Sequence, residues 1–220
     1  MIDRLLELVA PHHCFGCGKI GTVLCAVCKY DIIEDAYSGC LVCAAPSLSG
    51  VCSMCKTTYQ KAWCVGNREG VLEQLINAYK FERVKRAAVE LGALLDEALP
   101  VLPPETIIVP VPTVHSHIRV RGYDHALLLA QEFAKRRKLQ VKPLVQRSTA
   151  TSQRGLNKRA RMKEAKQAFY CQTIPDATVP YLVIDDIVTT NATLRYAAGA
   201  LQDAGANTVW AGVVARQPLE

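Results

Sequence analysis

Residues 181–201, YLVIDDIVTTNATLRYAAGAL, begin as an apolar run that ends in two adjacent acids, Asp185 and Asp186. Hydroxyl and amide side chains follow, at Thr189, Thr190, Asn191 and Thr193. They lead into an Ala-rich stretch that is typical of a helix. Ligands of parallel α/β sheets bind beyond the carboxyl ends of the strands, and the first N–H groups of a helix attract anions. The pattern therefore predicts a ribose 5-phosphate site. The turn and its hydroxyls would hold the phosphate, and the acids would accept hydrogen bonds from the sugar hydroxyls.

The same turn also has a structural interpretation. Thr and Asn are ordinary N-cap residues, and two acids at a strand end can simply be solvated, so a turn without a ligand stays open. The turn contains no glycine, although glycine would let the backbone approach an anion at positive φ. Asn is among the few other residues that visit the left-handed region without severe strain, so we expect Asn191 to hold the same turn.

Eight of the ten cysteines form four C-x-x-C pairs, and two such pairs complete a tetrahedral four-thiolate zinc site. A disulfide framework is the alternative, but paired C-x-x-C cysteines without a secretory signal are the metal pattern of a reducing compartment. We predict structural zinc whose binding folds this small segment. The predicted ligands are Cys14, Cys17, Cys25, Cys28, Cys40, Cys43, Cys52 and Cys55.

The spacing leaves the zinc pairing open. Consecutive pairs, interleaved pairs such as Cys14/Cys17 with Cys40/Cys43, and a single zinc with some cysteines left free are all possible. His12 and His13 could substitute as ligands, but the thiolates suffice. The two remaining cysteines, Cys64 and Cys171, are predicted to be buried free thiols.

Basic residues are concentrated in one window of the chain. Residues 135–166 hold twelve Lys and Arg and one acid, Glu164, so this window carries +11 while the rest of a +6 chain carries −5. Such a window favours contact with phosphates or nucleic acid, although charged runs are also common on solvated surfaces. No apolar run approaches the roughly 18 residues of a membrane span. The N-terminal segment contains acids and does not resemble a signal peptide, so we expect a cytoplasmic protein.

The elements that must position these residues alternate between strand and helix. Strands are predicted near Trp63, at 106–112, 142–147, 181–186 and 208–215, and helices at 70–81, 83–98, 192–204 and from Gly122 onwards. Because the strands are apolar on both faces, a parallel α/β sheet is predicted. The polar stretch 148–166 is predicted to be a mobile loop that leads into a helix. We place a zinc-binding, zinc-ribbon-like domain at 1–60 and an α/β domain at 61–220.

Several motifs together indicate a family. VIDDIVTTNAT resembles the ribose-phosphate signature of type I phosphoribosyltransferases. Four C-x-x-C pairs, then LINAYKF, IIVPVP, RGYDHA and QRGL before AF, resemble in this order the ComF family of competence-associated phosphoribosyltransferase-like proteins. The resemblance spans nearly the whole chain. It implies a type I phosphoribosyltransferase fold behind a zinc domain, and a role in natural transformation in which incoming single-stranded DNA is handled with the DNA-uptake machinery.

The resemblance also implies roles for individual residues. Asp185 and Asp186 would be the catalytic-site acids that bind the ribose hydroxyls of phosphoribosyl diphosphate. The turn that starts at Thr113 would be the pyrophosphate loop, with Arg119 and Arg121 neutralising the diphosphate and Mg²⁺ bridging its oxygens largely through water. The 5-phosphate loop would comprise Val188, Thr189, Thr190, Asn191, Ala192 and Thr193. A basic loop at 153–161 would close over the site, and its nucleic-acid contacts would be Arg154, Lys158, Arg159 and Arg161.

Four residues, at three places in the chain, depart from the family's usual residues. The family usually has glycine in place of Asn191, asparagine in place of Glu164, and a Phe-Asn pair in place of Tyr123 and Asp124. These differences bear on catalysis more than on fold, so three functions are open. The first is an Mg²⁺-dependent phosphoribosyltransferase that stabilises charge on a departing diphosphate. The second is a protein that binds a phosphorylated ribose or DNA without chemistry, and the third is a zinc-stabilised scaffold for DNA-uptake partners.

Overall fold

The computed structural model describes residues 11–148 and 169–218. Within these ranges the helices are α1 (Ala26–Glu34), α2 (Gly70–Phe81), α3 (Ala87–Ala98), α4 (His115–Arg121), α5 (His125–Arg137) and α6 (Ala192–Asp203). The strands are β1 (Lys61–Asn67), β2 (Ile107–Pro110), β3 (Gln140–Val141), β4 (Val145–Arg147), β5 (Phe169–Cys171), β6 (Pro180–Val188) and β7 (Thr208–Arg216). No helix in the described ranges is long and apolar enough to cross a membrane.

The centre of the molecule is a five-stranded sheet in the order β1-β7-β6-β2-β3, and every neighbouring pair is parallel. β6 is the middle strand, and all but one of its nine residues are buried. Its side chains alternate between two cores, with Leu182 and Ile184 on one face and Tyr181 and Val183 on the other. The predicted parallel α/β sheet is therefore confirmed.

Helices cover both faces of this sheet. The apolar sides of α2, α3 and α5 form one core, represented by Leu75, Leu91 and Phe133. The apolar side of α6 forms the other, represented by Leu194 and Leu201. Both faces of β6 are thus out of water, which is why its sequence is a continuous apolar run. Its polar residues come only at its carboxyl end.

Some elements differ from the prediction. The segment 142–147 contributes a strand, but β4 pairs antiparallel with β5 in a separate two-stranded sheet. Helix α3 begins at Ala87 and not at Arg83, because Arg83 has a φ of 60° and cannot continue a right-handed helix. Helix α4 was not predicted, since none of its residues is buried and it carries no apolar period. The predicted loop and helix at 148–166 lie outside the described residues apart from Ser148.

The cysteine-rich segment packs around the β1 edge of the sheet. Cys14, Cys25 and Cys28 belong to the core of α2, α3 and α5, whereas Leu41 and Tyr59 belong to the α6 core. Backbone hydrogen bonds join the segment to β1, with Tyr37 N donating to Val65 O at 3.2 Å and Ala62 N donating to Ser49 O at 2.7 Å. The domain boundary at residue 60 stays a prediction.

One glycine is required by this docking. Gly50 has a φ of 69°, and a Cβ atom there would lie 2.0 Å from the carbonyl oxygen of Ala62. Any side chain would therefore push the segment away from β1. The neighbouring bond from Ala62 N to Ser49 O ties this loop to β1, and Leu41 N donates to Gly50 O at 2.9 Å within the segment.

Candidate functional site

Asp186 is held at the carboxyl end of β6 by two basic side chains from other elements. It is 2% exposed. Its Oδ1 lies 2.9 Å from Nζ of Lys80 at the end of α2, and its Oδ2 lies 3.3 Å from Nε2 of His125 at the start of α5. The His125 contact lacks hydrogen-bond geometry, so Oδ2 is a buried oxygen without a hydrogen-bond donor. The Lys80 ion pair is therefore the main compensation for burying this carboxylate.

His125 is a buried neutral imidazole. Burial lowers its pKa, the charge of Asp186 raises it, and Arg121 and Lys80 lower it further. Nη1 of Arg121 lies 2.7 Å from Nδ1 of the ring. The same nitrogen also lies 3.2 Å from Nε2, so the guanidinium of Arg121 stands beside both ring nitrogens.

Asp185 has a different environment. It is 8% exposed, and its Oδ1 accepts a hydrogen bond from the backbone N–H of Asp186 at 2.9 Å. Burial raises the pKa of Asp185 well above its usual range, and the charge of Asp186 adds to the rise. The two adjacent acids therefore have unequal environments: Asp186 forms an ion pair with Lys80, whereas burial and the charge of Asp186 favour the protonated form of Asp185.

Asp185, Asp186 and His125 each place one ligand-type atom within 4.8 Å of the others. This arrangement suits a diol that bridges the two acids. It does not suit a resident magnesium ion, because Lys80 already occupies Asp186 and magnesium prefers oxygen ligands with several waters. The two acids therefore fit the hydroxyls of a ligand better than they fit a bare cation.

The turn after β6 forms a narrow pocket of about 20 Å³. The predicted phosphate-loop residues lie around it: Val188, Thr189, Asn191, Ala192 and Thr193 line it together with Asp185, Ile187 and Leu194. Thr190 belongs to the same turn but does not line the pocket. Asn191 has φ 59° and ψ 3°, the left-handed conformation expected for it, and makes no side-chain cap on α6. The N-terminal N–H groups of α6 are thus left without a side-chain partner from this position.

The turn after β2 is tied to the start of α5. Thr113 Oγ1 donates to Asp124 Oδ1 at 2.7 Å. Asp124 is the N-cap of α5, and its Oδ1 also accepts a hydrogen bond from Leu127 N at 3.1 Å. Thr113 and Asp124 also line an open cleft of about 360 Å³ between this turn and β4. Arg121 is half-buried against His125, whereas Arg119 is exposed on α4. Of the two predicted arginines, Arg121 is therefore close to the acids.

The predicted nucleic-acid contacts, Arg154, Lys158, Arg159 and Arg161, lie outside the described residues. Within the described part of the basic window, Lys135, Lys138 and Lys142 are exposed. Arg137 has a structural role, since its Nε donates to Asp96 Oδ1 at 2.7 Å and Nη2 donates to Leu99 O at 2.7 Å. Arg137, one of the basic residues of 135–138, thus caps the carboxyl end of α3.

The eight C-x-x-C cysteines form two clusters in chain order. The four Sγ atoms lie within 4.8 Å of one another in each cluster, which comprise Cys14, Cys17, Cys25 and Cys28, and Cys40, Cys43, Cys52 and Cys55. Two cross-pair Sγ–Sγ distances are 3.6 Å. The edge of a tetrahedron with Zn–S bonds of about 2.3 Å is about 3.8 Å, so both clusters could hold zinc. All ten cysteines are free thiols, and the structure selects consecutive pairing.

Backbone donors lower the pKa of one thiol in each cluster, whereas burial raises the pKa of Cys28 to about 12 and neighbouring thiols raise that of Cys55 to about 12. Burial alone would raise the pKa of Cys14, but backbone N–H groups, including that of Cys25 at 3.3 Å, outweigh it and lower the pKa to about 6. Cys40 behaves in the same way, with its pKa also lowered to about 6. Outside the clusters, Cys64 is buried as predicted, and burial raises its pKa to about 12. Cys171 is only half-buried, because the edge of the small β4–β5 sheet leaves it partly accessible.

Three residues of the site have no predicted role from the sequence. Lys80, His125 and Tyr59, whose hydroxyl donates to Asn191 Oδ1 at 2.9 Å, come from three separate elements. Lys80 and His125 lie in LINAYKF and RGYDHA, two of the motifs behind the family resemblance. Lys80 and His125 could have been noticed as ionisable residues within these two family motifs. Nothing local to Tyr59 indicates its contact.

The fold and the thiol clusters define a parallel α/β protein with a cysteine-rich segment that can bind metal. No family model matches the chain. Competence protein F of Haemophilus influenzae is 28% identical over 220 residues, covering 93% of this chain and 95% of that protein. This match confirms the resemblance to the ComF family that the motifs indicated.

Among solved structures, the allosteric regulatory enzyme of purine biosynthesis is similar over 59% of this chain, with a TM-score of 0.44 and 14% sequence identity. The chain spans 26% of that protein. A similarity at this level carries no argument about the function of this chain.

Because the two acids have unequal environments, replacing each of them with asparagine should change the free energy of unfolding in a different direction. The folded-state pKa of Asp185 is raised, so its contribution to stability is full below the unfolded pKa of about 3.9 and is lost as pH rises through the folded pKa. Asparagine cannot ionise, so Asp185→Asn should remove this pH-dependent loss of stability. The ligand-free variant should be at least as stable as the parent at pH 7. Asp186→Asn should destabilise it towards the lower end of roughly 3–5 kcal/mol, because Lys80 is left buried without its partner but keeps some solvent contact.

Urea unfolding of both variants and the parent between pH 5 and 8, in matched buffers, measures this difference. All three proteins contain the same thiols, so the contribution of thiol titration to the free energy of unfolding cancels when each variant is compared with the parent. Equal destabilisation by the two substitutions would show that the acids are equivalent and would contradict the stabilising role of the Lys80–Asp186 ion pair.

Proposed function

We propose that this chain has a type I phosphoribosyltransferase-like fold and binds phosphoribosyl diphosphate, or another ribose 5-phosphate, at the carboxyl end of β6. The observation that carries the proposal is the shared pocket of Asp185 and the turn that opens α6. An acid pair and an uncapped helix N-terminus stand next to each other on one strand–turn–helix unit. A ligand with a diol at one end and a phosphate at the other fits both.

The phosphate would occupy the turn. A pocket of about 20 Å³ takes about one water-sized group, so one phosphate oxygen would enter it and the others would stay at its mouth. The N–H groups at the start of α6 point towards this position and carry partial positive charge. The hydroxyls of Thr189, Thr190 and Thr193 add donors around the mouth.

The ribose hydroxyls would lie between the two acids. Asp186, paired with Lys80, would accept a hydrogen bond, and Asp185, whose raised pKa favours the protonated form, would donate as well as accept. A site with one charged and one neutral acid avoids the repulsion of two carboxylates at this distance. Lys80 would thereby set the charge state on which sugar binding depends.

The diphosphate would extend towards the turn after β2. Thr113 and Arg121 border this side of the acids, and Arg119 follows on the exposed face of α4. Mg²⁺ would enter on the diphosphate and supply charge neutralisation there, since the acids do not fit a resident magnesium ion. The same cations would stabilise a departing diphosphate if transfer occurs, and an inactive binding protein or scaffold is the alternative.

We further propose that both cysteine clusters hold structural zinc. Each cluster supplies four thiols at tetrahedral spacing, and a closed four-cysteine set leaves no open position for a substrate. The segment between 11 and 60 has one short helix and little apolar surface of its own, so metal binding would supply much of its folding energy.

Single-stranded DNA is a second candidate ligand. The +11 charge of residues 135–166 favours a polyanion, and the similar Haemophilus influenzae protein is named for competence. We propose that this window contacts the DNA backbone during DNA uptake in the cytoplasm, together with proteins of the uptake machinery.

Calorimetric titration of phosphoribosyl diphosphate, with and without Mg²⁺, tests the first proposal. Binding should be saturable and stronger with Mg²⁺. Asp186→Asn should weaken it about tenfold or more, because a hydrogen bond to a charged group contributes roughly 1.5–3 kcal/mol. Asp176→Asn, an exposed acid that caps its own loop, is the matched control and should bind like the parent. Equal affinity of the parent and Asp186→Asn would exclude this acid from the ribose site.

Metal analysis of the purified chain should give two equivalents of zinc. Cys17→Ser and Cys43→Ser, one exposed thiol from each cluster, should each reduce the content to about one, because three remaining thiolates bind zinc weakly. Cys171→Ser lies outside both clusters and should leave the content at two. A parent free of zinc would contradict the assignment.

Single-stranded DNA should bind with a strong dependence on salt and little dependence on sequence. Affinity should fall linearly on a log–log plot against salt, with a slope of roughly −0.7 per phosphate contacted. Replacing Arg154, Lys158, Arg159 and Arg161 with Ala should lower both affinity and slope. The matched triple variant Lys135→Ala, Lys138→Ala and Lys142→Ala reports on the described part of the window. If neither set changes the titration, the DNA contact lies elsewhere or does not exist.

A further inference from the structure

Asn191 occupies the N-cap position of α6 but does not cap the helix. An N-cap residue normally has extended backbone angles and accepts a hydrogen bond from the N–H group two or three residues on. Asn191 instead has a φ of 59° and makes no such bond. Its side-chain oxygen is turned away and accepts from the hydroxyl of Tyr59 at 2.9 Å.

Tyr59 is well placed to hold this arrangement. It is 2% exposed and Asn191 is 6% exposed, so neither group can exchange its partner for bulk water without a structural change. Burial raises the pKa of Tyr59, so the phenol keeps its proton and remains a donor. The neighbouring Thr58 fixes the same approach, because its Oγ1 donates to Arg195 O in the first turn of α6 at 2.5 Å.

Without the Tyr59 hydroxyl, the Asn191 amide would be a buried acceptor without a donor. The first N–H groups of a helix have no acceptor within it, and those that an N-cap side chain reaches belong to the second and third residues, here Thr193 and Leu194. Asn is among the best N-cap residues, so the side chain would turn to these groups. It would then occupy the donors that the proposed phosphate needs.

We propose that Tyr59 is a positioning residue for the phosphate loop. By holding the Asn191 amide, it keeps the left-handed turn and leaves the start of α6 open for an anion. Tyr59 lies between the last cysteine of the second cluster and β1, so the cysteine-rich segment supplies a determinant of the site in the α/β domain. The proposal rests on the proposed ribose 5-phosphate site, but its effect on α6 exists without a ligand.

The experiment combines Tyr59→Phe with Asn191→Gly, because glycine has no amide to turn inwards and adopts positive φ freely. Four proteins, the parent, both single variants and the double variant, are titrated with ribose 5-phosphate. Tyr59→Phe should weaken binding about three- to tenfold when Asn191 is present, the range expected for one hydrogen bond. In the Asn191→Gly background it should have no effect.

Amide hydrogen exchange of the ligand-free proteins gives the second readout. The N–H groups of Thr193 and Leu194 should exchange more slowly in Tyr59→Phe than in the parent, since Asn191 then caps them. The double variant should match Asn191→Gly. Tyr37→Phe is the matched control: it removes a hydroxyl from the same cysteine-rich segment, where Tyr37 donates to Cys40 O at 2.8 Å. It should change neither readout.

The outcomes separate the two proposals. Equal weakening by Tyr59→Phe in both backgrounds, or unchanged exchange at Thr193 and Leu194, would overturn the role of Tyr59 even if ribose 5-phosphate binds. Absence of ribose 5-phosphate binding in the folded parent, with the exchange pattern as expected, would overturn the proposed function and leave the role of Tyr59 in the helix start intact. If Tyr59→Phe does not fold, the double variant is compared with Asn191→Gly instead, because glycine at 191 has no side-chain amide that would lose its partner. Any change of exchange relative to Asn191→Gly would then overturn the proposal.

Discussion

Two adjacent carboxyl groups lie almost out of water at the end of the central strand, and the site depends on how their charge is balanced. Like charges this close cannot both be held in a buried position without partners. The structure gives one of them, Asp186, the ammonium group of Lys80 at 2.9 Å and leaves Asp185 with a raised pKa. The Lys80 pair compensates one of the two buried acids, and the elements that carry Lys80 and His125 must pack where they do to bring these groups to Asp186.

The packing of α2 and α5 follows from the same strand. Their apolar sides cover one face of β6, and this brings the last turn of α2 and the first turn of α5 to the strand's carboxyl end. Polar groups at helix ends can reach the acids there without being buried along the helix. Tyr79 strengthens this junction, since its hydroxyl donates to the carbonyl oxygen of His125 at 2.7 Å. The apolar core thus fixes the distance between the charged groups of the site.

The cysteine-rich segment meets a different constraint. It is too small to fold on its own apolar surface, and β1 is an edge strand that would otherwise be open on one side. The segment wraps around that edge and joins both cores, so burial against the sheet supports it, and the proposed zinc ions would add to that support. Tyr59 is part of this contact. A segment that stabilises the fold therefore also reaches the turn before α6.

Much of this protein can be predicted from its sequence. The apolar run before Asp185 and the Ala-rich period after Asn191 place the acids and the turn on one strand–turn–helix unit, because local periodicity reports directly on which faces are buried. The C-x-x-C spacing likewise indicates thiol clusters, since two residues between the cysteines suffice to point both at one ion. These signals are short-range, and the structure agrees with them.

The tertiary structure alone decided what is long-range. The partners of Asp186 and the contact of Tyr59 with Asn191 each join residues that are separated by other elements along the chain, and the consecutive pairing of the cysteines is one of several that their spacing allows. Lys80 and Asp186, for example, lie more than one hundred residues apart. Spacing along the chain carries no information about such contacts, because they arise only when the two cores close around β6. For the same reason the sequence predicts two acids at a strand end, whereas only the packed structure pairs one of them, Asp186, with the ammonium group of Lys80.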